Sequence, residues 1–179
     1  MNDQHSASTA VGLSNPLIAK WLMYATLTVG TIGFFLGFMK MSSEGAAAAI
    51  GPVALLSVGV VGVISMVRHS VFHRSDAIRM DWNQGRRNNF QIEAGFANLA
   101  IGLPAFLAVA LGMEPLLQAA FTFAYALYFI QVTVLVFTDR RDGRINLFRM
   151  IMVLMQAGLL CYFSISVMAA EPSLLGATS

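Results

Sequence analysis

Three residues able to bind a metal ion or carry a proton follow one another at helical spacing near the middle of the chain. His69, His73 and Asp76 lie at positions i, i+4 and i+7, so on one continuous helix they would share a face. Two imidazoles and a carboxylate on one face are a ligand set typical of a divalent ion. Because Glu93 begins the next apolar segment on the same side, these four residues form a candidate site for a divalent metal ion. The sequence indicates no other cofactor.

The same side chains also have a purely structural interpretation. Two histidines four residues apart often occur by chance, and Glu93 lies in the first turn of a predicted helix that Asn88 or Asn89 can cap. A carboxylate in that turn interacts favourably with the helix dipole. An ionisable residue within a predicted membrane span is, however, a functional-site hypothesis in its own right. Both interpretations of Glu93 stay open at the level of the sequence.

The composition of the chain is that of a membrane protein. Of its 179 residues, 57% are hydrophobic and only 11% are charged, whereas a soluble domain has about 25% charged residues. The single cysteine, Cys161, excludes a disulfide within the chain and a thiolate metal cluster. The net charge of +2 and the lack of a recognisable motif argue against nucleic-acid binding. The lipid bilayer is therefore the expected surrounding partner.

The apolar segments predict an all-α bundle of five transmembrane helices. Each is long enough to cross a bilayer, which takes about 20 residues. We expect one domain over residues 1–179, with a polar N-terminal tail at 1–14 and an interfacial loop at 69–89. In an alternative with four spans, Ala46–Ile50 and its neighbours do not cross fully. The five predicted spans are Leu17–Met39, Ala46–Arg68, Gln91–Leu111, Pro115–Phe137 and Leu147–Ala170.

The distribution of basic residues predicts how the chain is threaded. Arginines concentrate in the loops at 68–90 and 138–145, while the intervening turn at 112–115 has none. Because basic loops stay on the cytoplasmic side, the N-terminus is predicted inside and the C-terminus outside. The loop at 69–89 then lies at the cytoplasmic surface, with Trp82 at the depth of the headgroups.

Glycines and amides mark two faces suited to helix packing. Gly33 and Gly37 form a GxxxG motif in the first span, which favours close packing either within the subunit or across a dimer. The third span carries a stripe of small and polar residues at helical spacing. An amide in hydrocarbon needs a hydrogen-bond partner. For Asn98 in this stripe, the candidate partners are Tyr125, Tyr128 and Gln131. The stripe consists of Gln91, Gly95, Asn98, Gly102 and Ala105.

One segment resembles the signature of a known family. The run FQIEAGFANL at residues 90–99, followed by Gly102 and preceded by His69 and Trp82, is similar to that of an uncharacterised family of small multi-span bacterial inner-membrane proteins. The resemblance implies a bacterial inner-membrane location and multi-span topology. It brings no reaction with it.

The scarcity of catalytic groups favours a non-enzymatic protein. The chain lacks recognisable nucleophile, phosphate-loop and zinc-protease motifs. The leading hypothesis is a structural or accessory subunit that packs in the bilayer as a homo-oligomer or beside a larger membrane complex. The first alternative is a metal-dependent membrane enzyme or redox protein that uses the candidate metal site. The second is a small-solute carrier, which the uncharged interiors of the other four spans disfavour.

Overall fold

The computed structural model describes residues 13–81, 87–138 and 147–170, and six helices account for nearly all of them. Five of the six are long and apolar enough to cross a membrane, which confirms the predicted all-α class and the count of five spans. The sixth, α3, is a short helix in the loop that follows the second span. Trp82 lies outside the described residues. The helices are α1 (Pro16–Glu44), α2 (Ala46–Val71), α3 (His73–Arg79), α4 (Asn89–Ala110), α5 (Pro115–Thr138) and α6 (Leu147–Ala170).

The first helix begins and ends where the sequence provides the local chemistry. The side chain of Asn15 accepts a hydrogen bond from the backbone N–H of Leu17 at 3.0 Å, and Pro16 occupies the first helical position. At the other end, Gly45 adopts a φ of 88°, a conformation that is favourable for glycine and strained for other residues. This one residue reverses the chain between α1 and α2.

The second helix is the centre of the bundle and departs from regular α geometry. Half of its most apolar stretch is buried, against 28% or less in each of the other spans. Pro52 lacks an N–H group, and wider turns of the π type follow it over Val53–Val60. A second wide turn, Val67–Val71, ends the helix and contains Arg68 and His69. Such turns occur frequently at functional sites.

The GxxxG motif of α1 faces α2 of the same chain. A Cβ added to Gly37 would lie 2.6 Å from Cγ2 of Val53, and one added to Gly33 would lie 2.9 Å from the backbone N of Ser57. The Ser57 hydroxyl donates a hydrogen bond of 2.8 Å to the carbonyl of Gly30. The two helices therefore run antiparallel in close contact, and α2 occupies the glycine face.

The glycine stripe of α4 allows an equally close approach on the other side of α2. A Cβ on Gly102 would lie 2.9 Å from the Cα of Gly62, and one on Gly95 would lie 3.1 Å from the backbone N of Ser70. The Ser70 hydroxyl donates to the carbonyl of Ile92 at 3.0 Å. Because these contacts involve backbone atoms, only glycine permits this separation of α2 and α4.

The last two helices form a hairpin that closes the bundle at one end. We call the end where α1, α4 and α6 begin the Arg68 end, and the opposite end the Gly45 end. α6 packs mainly on α5 and, towards the Gly45 end, on the start of α2. Its buried residues all lie between Ala157 and Val167, where Phe163 stacks on Phe34 at 6.2 Å between ring centroids.

Candidate functional site

The three residues with helical spacing do not lie on one continuous helix. α2 ends at Val71, the backbone turns at Phe72 with φ −98° and ψ 30°, and α3 starts at His73. The turn folds α3 back against the bundle and directs Asp76 inward, where it is fully buried. His69 and Asp76 are therefore brought together by the turn and not by the periodicity of one helix.

Asp76 is the centre of a polar cluster formed by three helices. Its Oδ1 accepts hydrogen bonds from Nη2 of Arg79 at 2.7 Å and from Nε of the same residue at 2.9 Å. Its Oδ2 accepts from Nε2 of Gln91 at 2.8 Å and lies 2.8 Å from Nδ1 of His69. A buried carboxylate is tolerated when it is paired and hydrogen-bonded in this way. We call Arg68, His69, Asp76, Arg79 and Gln91 the Asp76 cluster.

Arg68 determines which nitrogen of His69 carries the proton. Nη2 of Arg68 lies 2.7 Å from Nε2 of His69. A guanidinium group has donors only, so Nε2 must accept and the ring proton is on Nδ1, facing Asp76. His69 is then neutral and lies between the arginine and the carboxylate. Nε of Arg68 is 3.9 Å from Oδ1 of Asp76, too far for a hydrogen bond.

The surroundings of Asp76 keep its carboxyl group charged. Burial alone would raise the pKa of Asp76, but the contact with His69 and the positive charges of Arg68 and Arg79 outweigh it and lower the pKa below its usual value. Asp76 is therefore a carboxylate at neutral pH and carries the negative charge of the cluster.

The other two candidate metal ligands have different surroundings. Nδ1 of His73 donates to the carbonyl of Ser70 at 2.9 Å, and Glu93 is exposed on α4. Over residues 13–81, 87–138 and 147–170, no group of three or more His, Cys, Asp or Glu side chains is arranged to hold a metal ion. The divalent site of His69, His73, Asp76 and Glu93 stays a prediction.

Sequence reasoning missed several members of the Asp76 cluster. The i, i+3 spacing of Asp76 and Arg79 is a signal for an ion pair on a helix. Gln91 fits a capping pattern with Asn88, whose side chain does accept from the N–H of Phe90 at 3.1 Å. Its side chain instead bonds Asp76. The participation of Arg68 has no signal in the sequence, because it depends on the wide turn at the end of α2.

A second polar cluster lies deeper between α4 and α5. The hydroxyl of Tyr125 donates to Oδ1 of Asn98 at 2.6 Å, and Nδ2 of Asn98 donates to the hydroxyl of Tyr128 at 3.0 Å and to the carbonyl of Ala94 at 2.7 Å. Two of the three partners suggested by the sequence therefore bond Asn98, while Gln131 is exposed. We call Asn98, Tyr125 and Tyr128 the Asn98 cluster.

The short helix α3 is fixed to the beginning of α1. The hydroxyl of Ser75 donates to the carbonyl of Asn15 and accepts from the N–H of Ala19 at 3.1 Å. Nη1 of Arg79 lies 3.3 Å from the sulfur of Met23. These contacts set α3 level with residues 15–23 of α1.

Comparison with known proteins identifies the chain at the level of a family. A family model described as a family of unknown function, DUF6790, matches residues 21–140. The match includes α2, α3, α4 and every residue of the two polar clusters. Comparison with curated proteins and with solved structures found no match.

Proposed function

The chain belongs to the DUF6790 family, whose function is unknown, and we propose that it is a non-enzymatic structural or accessory subunit of a bacterial inner membrane. It packs there as a homo-oligomer or beside a larger membrane complex. The observation that carries this proposal is how the buried polar groups are used. Asp76 bonds side chains from α3 and α4 and contacts α2, and Asn98 bonds α4 to α5.

The energetics of these contacts support a structural role. An unpaired polar group in an apolar interior costs several kcal/mol. Sliding one helix along its neighbour would separate Asp76 or Asn98 from its hydrogen-bond partners, so these bonds fix the relative positions of the helices. The Asp76 cluster joins α2, α3 and α4 at the Arg68 end, where α6 contributes no buried residue among those described. The Asn98 cluster joins α4 to α5 deeper in the bundle. Both clusters stabilise the contacts between helices.

The outer surface of the bundle is apolar and offers area for lipid or for another membrane protein. Large side chains are exposed on every span, among them Trp21, Phe35, Phe96, Val134 and Phe148. Aromatic residues and methionines are enriched where proteins bind one another. A subunit of this size can therefore associate through its span surfaces without a soluble domain.

The proposed orientation has the Arg68 end at the cytoplasmic side. The support is the set of arginines in the sequence around this end, at positions 68–90 and 138–149. With five spans, the N-terminus is then inside and the C-terminus outside.

Extraction of native membranes into nanodiscs without prior dissociation, followed by mass determination and identification of companions, tests the proposal. We expect a particle with two or more copies of the chain or with one constant companion. A particle holding a single chain and no constant companion would contradict the subunit role.

Metal analysis of the same particles distinguishes the subunit role from the metal-dependent alternative. A divalent ion retained near one per chain, and lost in a His69→Ala/His73→Ala double variant but not in His5→Ala, would favour a metal-dependent enzyme or redox protein instead. Because His5 lies in the polar tail, the single variant controls for adventitious binding to histidine.

A further inference from the structure

The Asp76 cluster contains more positive than negative charge. Among the described residues, Asp76 is the carboxylate that contacts Arg68 and Arg79. His69 is neutral because its Nε2 accepts from Arg68. The cluster therefore has two guanidinium charges and one carboxylate charge. A partly buried excess charge is costly unless a counter-ion accompanies it.

Both arginines also have hydrogen-bonding capacity that the protein does not use well. Nε of Arg68 is buried and has no hydrogen-bond partner. Nη1 of Arg79 faces the sulfur of Met23 at 3.3 Å, and a thioether is only a weak acceptor. The protein therefore does not fully satisfy the donors of these two neighbouring guanidinium groups.

The two cations are accessible from outside and the carboxylate is not. The side chain of Arg68 is 14% exposed and that of Arg79 is 20% exposed, against 1% for Asp76. An approaching anion therefore reaches the arginine side chains before the carboxylate, and the net charge of the cluster that it meets is positive. The described half of α6 near this end, Leu147 to Gln156, has no buried residue, so α6 does not seal the bundle here.

Arg79 lies level with residues of α1 whose types are typical of the headgroup region of a bilayer. The contacts of α3 with Ala19 and Met23 place it beside the aromatic residues of α1. Trp21 there is 70% exposed, and Nζ of Lys20 lies over the ring of Tyr24 at 5.9 Å from its centroid. Exposed tryptophan, tyrosine and lysine at a helix end are typical of the interface between hydrocarbon and water.

We propose that Arg68 and Arg79 bind a phosphate group, supplied by the headgroup of an anionic phospholipid or by a free phosphate ion. The planar fork of a guanidinium matches two phosphate oxygens, and such charge-assisted pairs are among the strong hydrogen bonds of proteins. A phosphate would balance the excess charge of the cluster and would give Nη1 of Arg79 a stronger acceptor than the Met23 sulfur. The proposal does not depend on the subunit role proposed above.

The test uses the full chain purified in detergent. Retention of phosphatidylglycerol against phosphatidylcholine is measured by native mass spectrometry, and binding of inorganic phosphate is measured in parallel by calorimetry. We expect selective retention of phosphatidylglycerol, and Arg79→Gln should weaken it about tenfold or more because charged hydrogen bonds are lost. Arg74→Gln is the matched control. It removes the same charge from an exposed position of the same helix.

A second variant acts in the opposite direction. Asp76→Asn removes the negative charge of the cluster, so phosphate or phosphatidylglycerol should bind more tightly even where the bundle becomes less stable. A cluster with only a structural role predicts no gain. Binding of inorganic phosphate at the same cluster would assign a free ion as a ligand, and its absence beside lipid retention would assign the headgroup.

Two results would overturn the proposal. The first is equal loss of binding in Arg79→Gln and Arg74→Gln, which would show attraction to general surface charge. The second is an anion affinity in the Asp76→Asn variant that is no greater than that of the unaltered chain. Thermal unfolding of each variant establishes that the protein measured is folded.

Discussion

Gly62→Ala is the sharpest test of how α2 and α4 are held together. A Cβ at this position would lie 2.7 Å from the carbonyl oxygen of Asn98 and 2.8 Å from the Cα of Gly102. Both are backbone atoms and cannot rotate away. Ordinary contact begins near 3.4 Å, so the two helices would have to separate by roughly 0.6–0.7 Å, because a close-packed interior leaves no free space for the added methyl group.

The expected cost follows from two opposing effects. Forcing extra volume into a packed interface costs about 1–3 kcal/mol, and contact with backbone puts this position in the upper part of that range. Replacing glycine by alanine within a helix returns up to about 1 kcal/mol. We therefore expect Gly62→Ala to lower the free energy of unfolding by about 1–2 kcal/mol, by the balance of these two effects.

The assay is unfolding in mixed micelles by titration with a denaturing detergent, and the matched control is Gly158→Ala. Gly158 lies on α6 and a Cβ there meets no atom within 4 Å, so only the gain in helix propensity applies. The control should be as stable as the unaltered chain or slightly more stable. Equal stability of the two variants would refute the close approach of α2 and α4.

Three further predictions concern the polar groups and the topology. Asn98→Leu removes hydrogen bonds to Tyr125 and Tyr128 and should lower the free energy of unfolding by about 1–2 kcal/mol in the same assay. Gln131→Leu changes an exposed position and should have little effect. Equal effects of the two variants would show that the Asn98 cluster does not stabilise the bundle. The pKa of Asp76 is lowered in the folded protein, so its charge stabilises the fold above an ordinary carboxyl pKa of about 3.9 and this contribution is lost as the pH falls below that value. Asp76→Asn should therefore flatten the acid limb of a thermal-stability profile, and an unchanged limb would contradict the pairing. Reporter fusions after Ser179 and near Gly85 should report the outside and the inside, respectively. Because three spans separate these two sites, a cytoplasmic signal from both would be incompatible with five spans.

The helical spans were predictable because each is a long apolar run, and their ends were less so. α1 was predicted to stop at Met39, where the apolar run gives way to Lys40, yet the helix continues to Glu44. Lys40 and Glu44 lie at i, i+4 and form an ion pair at 2.9 Å, which favours one further helical turn outside the apolar segment. Hydropathy measures where a helix can meet lipid and not where its hydrogen bonds end.

The polar sites were predictable only in part, for a related reason. The need of Asn98 for a partner, and the tyrosines that supply it, can be read from polarity and helical spacing alone. The Asp76 cluster could not be read in the same way. His69 and Asp76 meet because the chain turns at Phe72, and Arg68 joins them because α2 ends in a wide turn. Neither feature has a signature in the local sequence.

The glycines and the polar clusters are parts of one arrangement. Side chains as short as Gln91 and Asn98 can bond their partners across helices only if the backbones approach closely. Gly95 lies between these two residues on α4 and contacts the backbone of Ser70, next to His69. A larger residue there would move the start of α4 away from α2 and carry Gln91 away from Asp76. The small residues of α4 therefore determine how closely its backbone approaches α2. The hydrogen bond from Gln91 to Asp76 forms only at that separation of the two helices.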